Sequence, residues 1–169
     1  MKLLVDERDV KFVLYEQLRI EELCKAPLYE EFSRETFDMV FDQAEKLAEK
    51  EFYPANAPGD REGCRFDGGR VRVPAAFQQA YQRYCEGEWL AMGDPPEVGG
   101  QGLPVVLTNA CIELFGAANW SLLMYPGLTH GAARLLQRFG SPELQEIYLN
   151  KMFSGEWSGT MCLTESGAG

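Results

Sequence analysis

Residues 157–169 read Trp-Ser-Gly-Thr-Met-Cys-Leu-Thr-Glu-Ser-Gly-Ala-Gly, and the stretch changes composition halfway. Residues 157–164 are rich in strand-forming side chains, with a partial alternation of small or polar and larger apolar groups. Residues 165–169 carry no bulky side chain, so their backbone can run close to a ligand and present main-chain N–H groups to it. Thr164 adds a hydroxyl at the junction. The pattern alone is more typical of a strand that ends in an ordinary loop.

The residues ahead of this stretch are patterned as helices. Ser33 can cap a helix whose apolar stripe continues until Pro54, where the helix is expected to end. Residues 103–118 are apolar on nearly all sides, which predicts a central buried helix. Two more helices are predicted at 128–139 and, behind a Ser-Pro-Glu capping sequence, at 141–150.

Glycine and proline mark the breaks between these helices. Residues 55–72 are predicted as a loop that holds a small hairpin about Asp67-Gly68. Pro74 suits the first turn of the helix that follows. Interruptions are also predicted at 116–119 and at Pro126-Gly127.

The composition is that of a globular protein, with 46% hydrophobic and 12% aromatic residues in a chain of 169. This length suffices for one domain with a core, or for one domain and the start of another. The formal net charge is −10, and an acidic surface repels phosphate backbones, so nucleic acid is not expected as a partner. The early charged residues argue against a secretory signal, and no apolar run approaches membrane-spanning length.

The cysteines and the histidine do not predict a metal site. Five cysteines are spread along the chain without the spacing of a metal clip, and free thiols fit a reducing cytoplasm. The single histidine, His130, has no partner visible by spacing. It is therefore interpreted as a packed or surface residue in preference to a ligand or base.

Three motifs resemble the acyl-CoA dehydrogenase family, in the family's own order. Residues 161–169 are similar to its flavin-binding strand. Residues 95–103 are similar to its Pro-Glu-x-x-Gly-Gly-x-Gly-Leu turn. Residues 139–145, followed by Tyr148-Leu149 and 154–156, are similar to the segment that leads into the flavin strand. Three motifs in order are far more specific than one.

The resemblance implies a mainly α fold. Residues 1–155 would form the N-terminal helical domain of the acyl-CoA dehydrogenase fold, and 156–169 would begin the middle β domain with its first strand. Residues 1–27 resemble an N-terminal extension of the larger bacterial acyl-CoA dehydrogenases, a group that includes methylmercaptopropionyl-CoA dehydrogenases. Without its neighbouring strands, the terminal strand is expected to be unpaired.

The resemblance also implies an activity. It is the FAD-dependent α,β-dehydrogenation of an acyl-CoA thioester, with electron-transfer flavoprotein as the electron acceptor and a homo-oligomeric full-length enzyme. The family's catalytic glutamate lies in the C-terminal domain, so no catalytic residue is assigned in this chain and the piece alone is expected to be inactive. The chemistry of the acyl group is not predicted, because one methylene changes binding by only about 1–3 kcal/mol.

The site residues follow from the same resemblance. Contacts to the flavin are implied at Met161, Leu163, Thr164, Gly167, Ala168 and Gly169. One wall of the acyl slot is implied within residues 122–128, and simple core packing is the alternative for each of its candidates. These candidates are Leu122, Leu123, Tyr125 and Leu128.

Two other functions stay open. The chain could belong to a helical binding or assembly module that kept the fold and lost the chemistry. It could also belong to a related flavoprotein, such as an acyl-CoA oxidase or a nitroalkane oxidase-like enzyme. The sequence after Gly169 would distinguish the first alternative from the dehydrogenase. The rate at which reduced flavin reacts with oxygen would distinguish the second.

Overall fold

The computed structural model describes residues 4–162 and 164–167. Helices dominate this part of the chain, which confirms the predicted mainly α class. The principal elements are α1 (Glu7–Lys11), α2 (Arg34–Leu47), α3 (Tyr53–Glu62), β1 (Arg65–Asp67), β2 (Arg70–Arg72), α4 (Ala75–Glu86), α5 (Val105–Phe139) and α6 (Pro142–Phe153). Short π and 3-10 helices lie between them at Phe12–Gln17, Ile20–Lys25, Pro27–Tyr29, Ala48–Phe52, Trp89–Ala91 and Pro96–Val98.

Helices α2 and α3 follow one another without a break. Ser33 caps α2 as predicted, because the Thr36 N–H donates to Ser33 Oγ (3.3 Å). The prediction that Pro54 ends this helix is wrong, since a π-helical turn bridges α2 to α3. Pro54 stands in the first turn of α3, where a helix tolerates a residue without an N–H. Residues 55–62, predicted as loop, are therefore helical.

The hairpin predicted about Asp67-Gly68 is confirmed. Strands β1 and β2 pair antiparallel, with Phe66 opposite Val71. Gly68 and Gly69 turn the chain with φ of 54° and 78°, values that favour glycine. Both strands are exposed along their whole length, so the hairpin projects from the helices.

An aromatic cluster joins α4 and α5 to the π-helical turn before α3 and to the 3-10 turn at Trp89–Ala91. Phe115 of α5 is fully buried, with ring centroids 5.0 Å from Phe52, 5.2 Å from Tyr84 and 5.3 Å from Trp89. The last two contacts are edge-on, which suits the quadrupoles of the rings. Helix α5 is thus the central helix that the apolar run predicted.

Helix α5 is kinked at Asn119, where φ is −162° and ψ is 89°. The Asn119 side chain accepts from the Leu122 N–H (3.0 Å) and donates to the Phe52 carbonyl (3.3 Å). It therefore caps the second half of α5 and ties it to the α2–α3 junction. The interruption predicted at 116–119 takes the form of this kink. The interruption predicted at Pro126 is wrong, because the helix continues through that buried residue.

Within the described ranges, α5 is the one helix long and apolar enough to cross a membrane by length and composition. The prediction that no apolar run reaches such a length is thus wrong. Half of its most apolar window is nevertheless buried inside the protein, and the core helix of a globular protein passes the same test. The helix is therefore weak evidence for a membrane span.

The terminal segment carries no paired strand among the residues that the structure describes after Trp157. The resemblance implied the first strand of a β domain here, but the one sheet of the described chain is the hairpin at 65–72. Trp157 instead packs on α6, with its ring 5.6 Å from that of Tyr148 and under the Lys151 ammonium (4.1 Å). A strand needs a neighbour to form a ladder, and none lies beside it in this part of the protein. The division into a 1–155 domain and a 156–169 start of another stays a prediction.

Candidate functional site

The terminal segment is anchored to the helices at Gly159. The Gly159 N–H donates to Thr129 Oγ1 (3.1 Å), and the Thr129 hydroxyl lies 3.2 Å from the Tyr125 carbonyl. A Cβ at position 159 would lie 2.8 Å from both the Ala132 methyl and the end of the Met152 side chain. Glycine is required here because only a residue without a Cβ lets the backbone come this close.

Beyond this anchor, three of the predicted flavin residues lie within the described chain, and all three are exposed. Met161 is 58% exposed, and Thr164 and Gly167 are also exposed. Among the described residues, no atom beyond its neighbours lies within 4 Å of a Cβ built on Gly167. These three residues are free to contact a group from outside this chain. The other three predicted contacts, Leu163, Ala168 and Gly169, lie outside the described residues, and the flavin role of all six stays a prediction.

A separate cleft of about 580 Å³ opens between the turn at residues 89–94 and both halves of α5. Its volume falls within the range of small-molecule sites, roughly 300–1,000 Å³. The cleft has apolar walls and a polar end. The apolar walls include Leu90, Met92, Leu103, Val105, Ile112, Trp120, Leu123 and Met124.

The structure brings one of the four predicted slot residues to this cleft. Leu123 lines it, as does Gly127 one turn later, because residues four apart share a helix face. Leu122 is buried among the helices, and the Tyr125 ring meets Tyr81 edge-on at 5.0 Å instead. Leu128 is half-buried and does not line the cleft. Only the face of this segment that carries Leu123 and Gly127 is open to the cleft, and the acyl-slot role of the four candidates stays a prediction.

The polar end of the cleft is built on Asp94, which is 1% exposed. Its Oδ2 lies 2.6 Å from His130 Nε2, and its Oδ1 lies 3.8 Å from Arg134 Nε. The His130 ring also packs against Phe153 at 6.0 Å. His130 therefore has a buried carboxylate partner that sequence reasoning missed. Asp94 stands 36 positions earlier in the chain, and no local pattern connects the two.

The glycine-rich turn at 95–103 holds Asp94 in place. The Gly102 N–H donates to the Asp94 carbonyl (2.9 Å), and the Leu103 N–H donates to the Met92 carbonyl (3.0 Å). Gly99 and Gly102 adopt φ of 81° and 64°, which side chains rarely permit. The turn is tight, as its sequence predicted, and it sets the carboxylate against α5.

Comparison with known proteins identifies the family of this chain. Residues 34–156 match the family described as "Acyl-CoA dehydrogenase, N-terminal domain". The chain belongs to the acyl-CoA dehydrogenase family. It is 32% identical over 162 residues to the 3-methylmercaptopropionyl-CoA dehydrogenase of Ruegeria pomeroyi, covering 96% of this chain and 28% of that protein. It is 36% identical over 166 residues to a butyryl-CoA dehydrogenase of Syntrophomonas wolfei. This match covers 96% of the present chain and 27% of that protein.

These matches confirm the resemblance that the three motifs indicated. They also set its extent, because this acyl-CoA dehydrogenase chain spans a little over a quarter of the length of the curated relatives it matches. Its helices are accordingly the N-terminal domain of the family.

Two thiols of this acyl-CoA dehydrogenase domain are held in their neutral form. Burial raises the pKa of Cys111 to about 12. Burial also raises the pKa of Cys85, against the opposing effect of a hydrogen bond with Tyr81. Neither thiol is suited to act as a nucleophile near neutral pH. No group of three metal-binding side chains occurs among the described residues.

Proposed function

We propose that the full-length protein containing this chain is an FAD-dependent acyl-CoA dehydrogenase, which introduces a double bond between the α and β carbons of an acyl-CoA thioester. The observation that carries the proposal is the family match over residues 34–156. The names of both relatives support it, since each is called a dehydrogenase of an acyl-CoA.

In this proposal the terminal segment contributes to the flavin site. Met161, Leu163 and Thr164 would contact the flavin ring, and Gly167, Ala168 and Gly169 would form the turn beside it. The exposure of Met161, Thr164 and Gly167 fits such a role, because nothing else in the described chain covers them. When bound, FAD supplies the acceptor for the hydride.

The cleft contributes one wall of the acyl site. Its apolar side chains, such as Leu123 and Ile112, would exclude water from the acyl chain. No catalytic base is assigned in this chain, and the family's glutamate belongs to the C-terminal domain. Since proton transfer by a positioned group contributes roughly 10²–10⁴-fold in rate, the isolated 169-residue chain is expected to be inactive.

The proposal extends to the enzyme's surroundings. Electron-transfer flavoprotein would accept the electrons, and the full-length enzyme would be a homo-oligomer. A cytoplasmic location fits the five free cysteines.

The test is flavin content and turnover of the purified full-length protein. We expect a yellow protein that reduces an artificial electron acceptor with butyryl-CoA or a related thioester. Thr164→Ala should weaken flavin binding or slow turnover several-fold, since one hydrogen bond is worth about 0.5–1.5 kcal/mol. Thr160→Ala, which removes an exposed hydroxyl four residues earlier, is the matched control.

The alternatives give different results. A colourless protein without turnover on any acyl-CoA would favour a helical binding or assembly module. A yellow protein whose reduced flavin reacts rapidly with oxygen would favour an oxidase. The isolated chain should be colourless and inactive, and stoichiometric flavin bound to it would contradict the placement of the site.

A further inference from the structure

The polar end of the cleft contains an unsatisfied carboxylate oxygen. Asp94 Oδ2 is paired with His130, but Oδ1 is buried and has no hydrogen-bond partner among the described residues. The nearest cation is Arg134, whose Nε is 3.8 Å away and too distant for a hydrogen bond. Leaving a buried charged oxygen without a donor is costly, so an unpaired one marks a place that a ligand can complete.

The surroundings of this oxygen restrict the ligand. Arg134 is 62% exposed, so its long side chain has room to shift and admit a small group beside Asp94. An incoming ammonium would bond to Asp94 but would be repelled by Arg134. A carboxylate would bond to Arg134 but would be repelled by Asp94. A hydroxyl satisfies both, because it has one donor for the carboxylate and two lone pairs for the guanidinium.

The rest of the cleft restricts the ligand further. Apart from Thr108 and Asn109, the residues that line the remainder are mainly apolar or aromatic, such as Ile112, Leu123 and Met124. A ligand that fits both parts has an apolar chain that carries a hydroxyl.

We propose that the Asp94–His130–Arg134 cluster makes this enzyme selective for acyl-CoA thioesters whose acyl group carries a hydroxyl on the part that enters the cleft. The hydroxyl would donate to Asp94 Oδ1 and accept from Arg134, while His130 holds the carboxylate in position. This inference rests on the proposed dehydrogenase function, and it adds the class of acyl group.

The test compares pairs of acyl-CoA thioesters with the full-length protein. Each pair has the same chain length, between four and eight carbons, with and without a hydroxyl on the terminal carbon. The quantity measured is the ratio of kcat/KM for the two members. We expect a ratio of at least about tenfold in favour of the hydroxylated member for one chain length or more, since two new hydrogen bonds form to charged groups.

Arg134→Leu should lower this ratio several-fold, because one of the two hydrogen bonds to the hydroxyl is lost. Arg138→Leu removes the same charge from an exposed position one turn later, outside the cleft, and should leave the ratio unchanged. Turnover of the unsubstituted thioesters with no preference at any length would overturn the inference and leave the dehydrogenase function standing. A preference that is undiminished in Arg134→Leu would also overturn it. Absence of turnover on every thioester would overturn the proposed function itself.

Discussion

The anchor between Thr129 and Gly159 can be tested by replacing one oxygen atom. Thr129→Val keeps the shape of the side chain but replaces the hydroxyl by a methyl group. The variant loses the bond from the Gly159 N–H (3.1 Å) and the hydroxyl contact with the Tyr125 carbonyl (3.2 Å). Thr129 is fully buried, so water cannot take the place of the lost hydroxyl.

The size of the effect follows from that burial. Leaving a buried donor unpaired costs about 1–3 kcal/mol, which should fall on the local opening of the terminal segment. An opening free energy lower by this amount corresponds to amide exchange about 5- to 150-fold faster. The change should be confined to residues 157–162, because α5 itself keeps its packing.

Hydrogen exchange of the full-length protein, followed by mass spectrometry, measures this directly. Thr129→Ser is the control, since it keeps the hydroxyl and deletes only the methyl group. Faster exchange in the valine variant and near-normal exchange in the serine variant are expected. Equal exchange in wild type and both variants would refute the anchor, and acceleration in the serine variant alone would show that methyl packing holds the segment.

Three further predictions concern the stability of the helical domain. Asn119→Ala should lower the free energy of unfolding by about 2–4 kcal/mol in urea, because the cap of the second half of α5 and the bond to its neighbour are both lost. Gly155→Ala should lower the melting temperature, because the new Cβ would collide with Cys85 Sγ and the φ of 79° disfavours a side chain. Gly131→Ala is the control: its Cβ would meet open space, so the melting temperature should rise slightly. Cys111 should resist iodoacetamide at pH 8 until the protein unfolds. The pKa of the Cys111 thiol is about 12 in the folded protein and 9.0 ordinarily, so the neutral thiol favours the folded state. This contribution to the free energy of unfolding should be complete below about pH 9 and should disappear as the pH rises towards 12. Urea titrations across that pH range measure it.

Local signals predicted the parts of the fold that local interactions determine. The Ser33 and Ser141 caps form the bonds that their sequences imply, and the glycines after Asp67 form the predicted hairpin turn. The predictions at Pro54 and Pro126 were wrong for one physical reason. A proline destabilises a helix because it lacks an N–H and its ring clashes with the carbonyl four residues earlier. Packing against the surrounding helices can nevertheless keep the chain helical through it.

The candidate site was harder to predict because its contacts are distant in sequence. The flavin role of the terminal segment and the slot role of residues 122–128 stay predictions, and the pattern of apolar residues did not show which face of the helix at 122–128 is open to the cleft. The pairing of Asp94 with His130 depends on a turn that returns the chain to α5 after 36 residues, and periodicity carries no information about such a contact.

The position of the kink explains how α5 serves two parts of the site. Thr129 and His130 are consecutive, so they point about 100° apart, one to the anchored segment and the other to the cleft. The contacts of the segment with α5 at Gly159 are to Thr129 and Ala132, after the kink, whereas the cleft takes walls from both halves, with Ile112 before the kink and Leu123 after it. A change in the kink angle would therefore alter the width of the cleft while the bond between Thr129 and Gly159 stayed intact. The width of the cleft and the position of the terminal segment can thus vary independently, because one asparagine separates the two halves of a single helix.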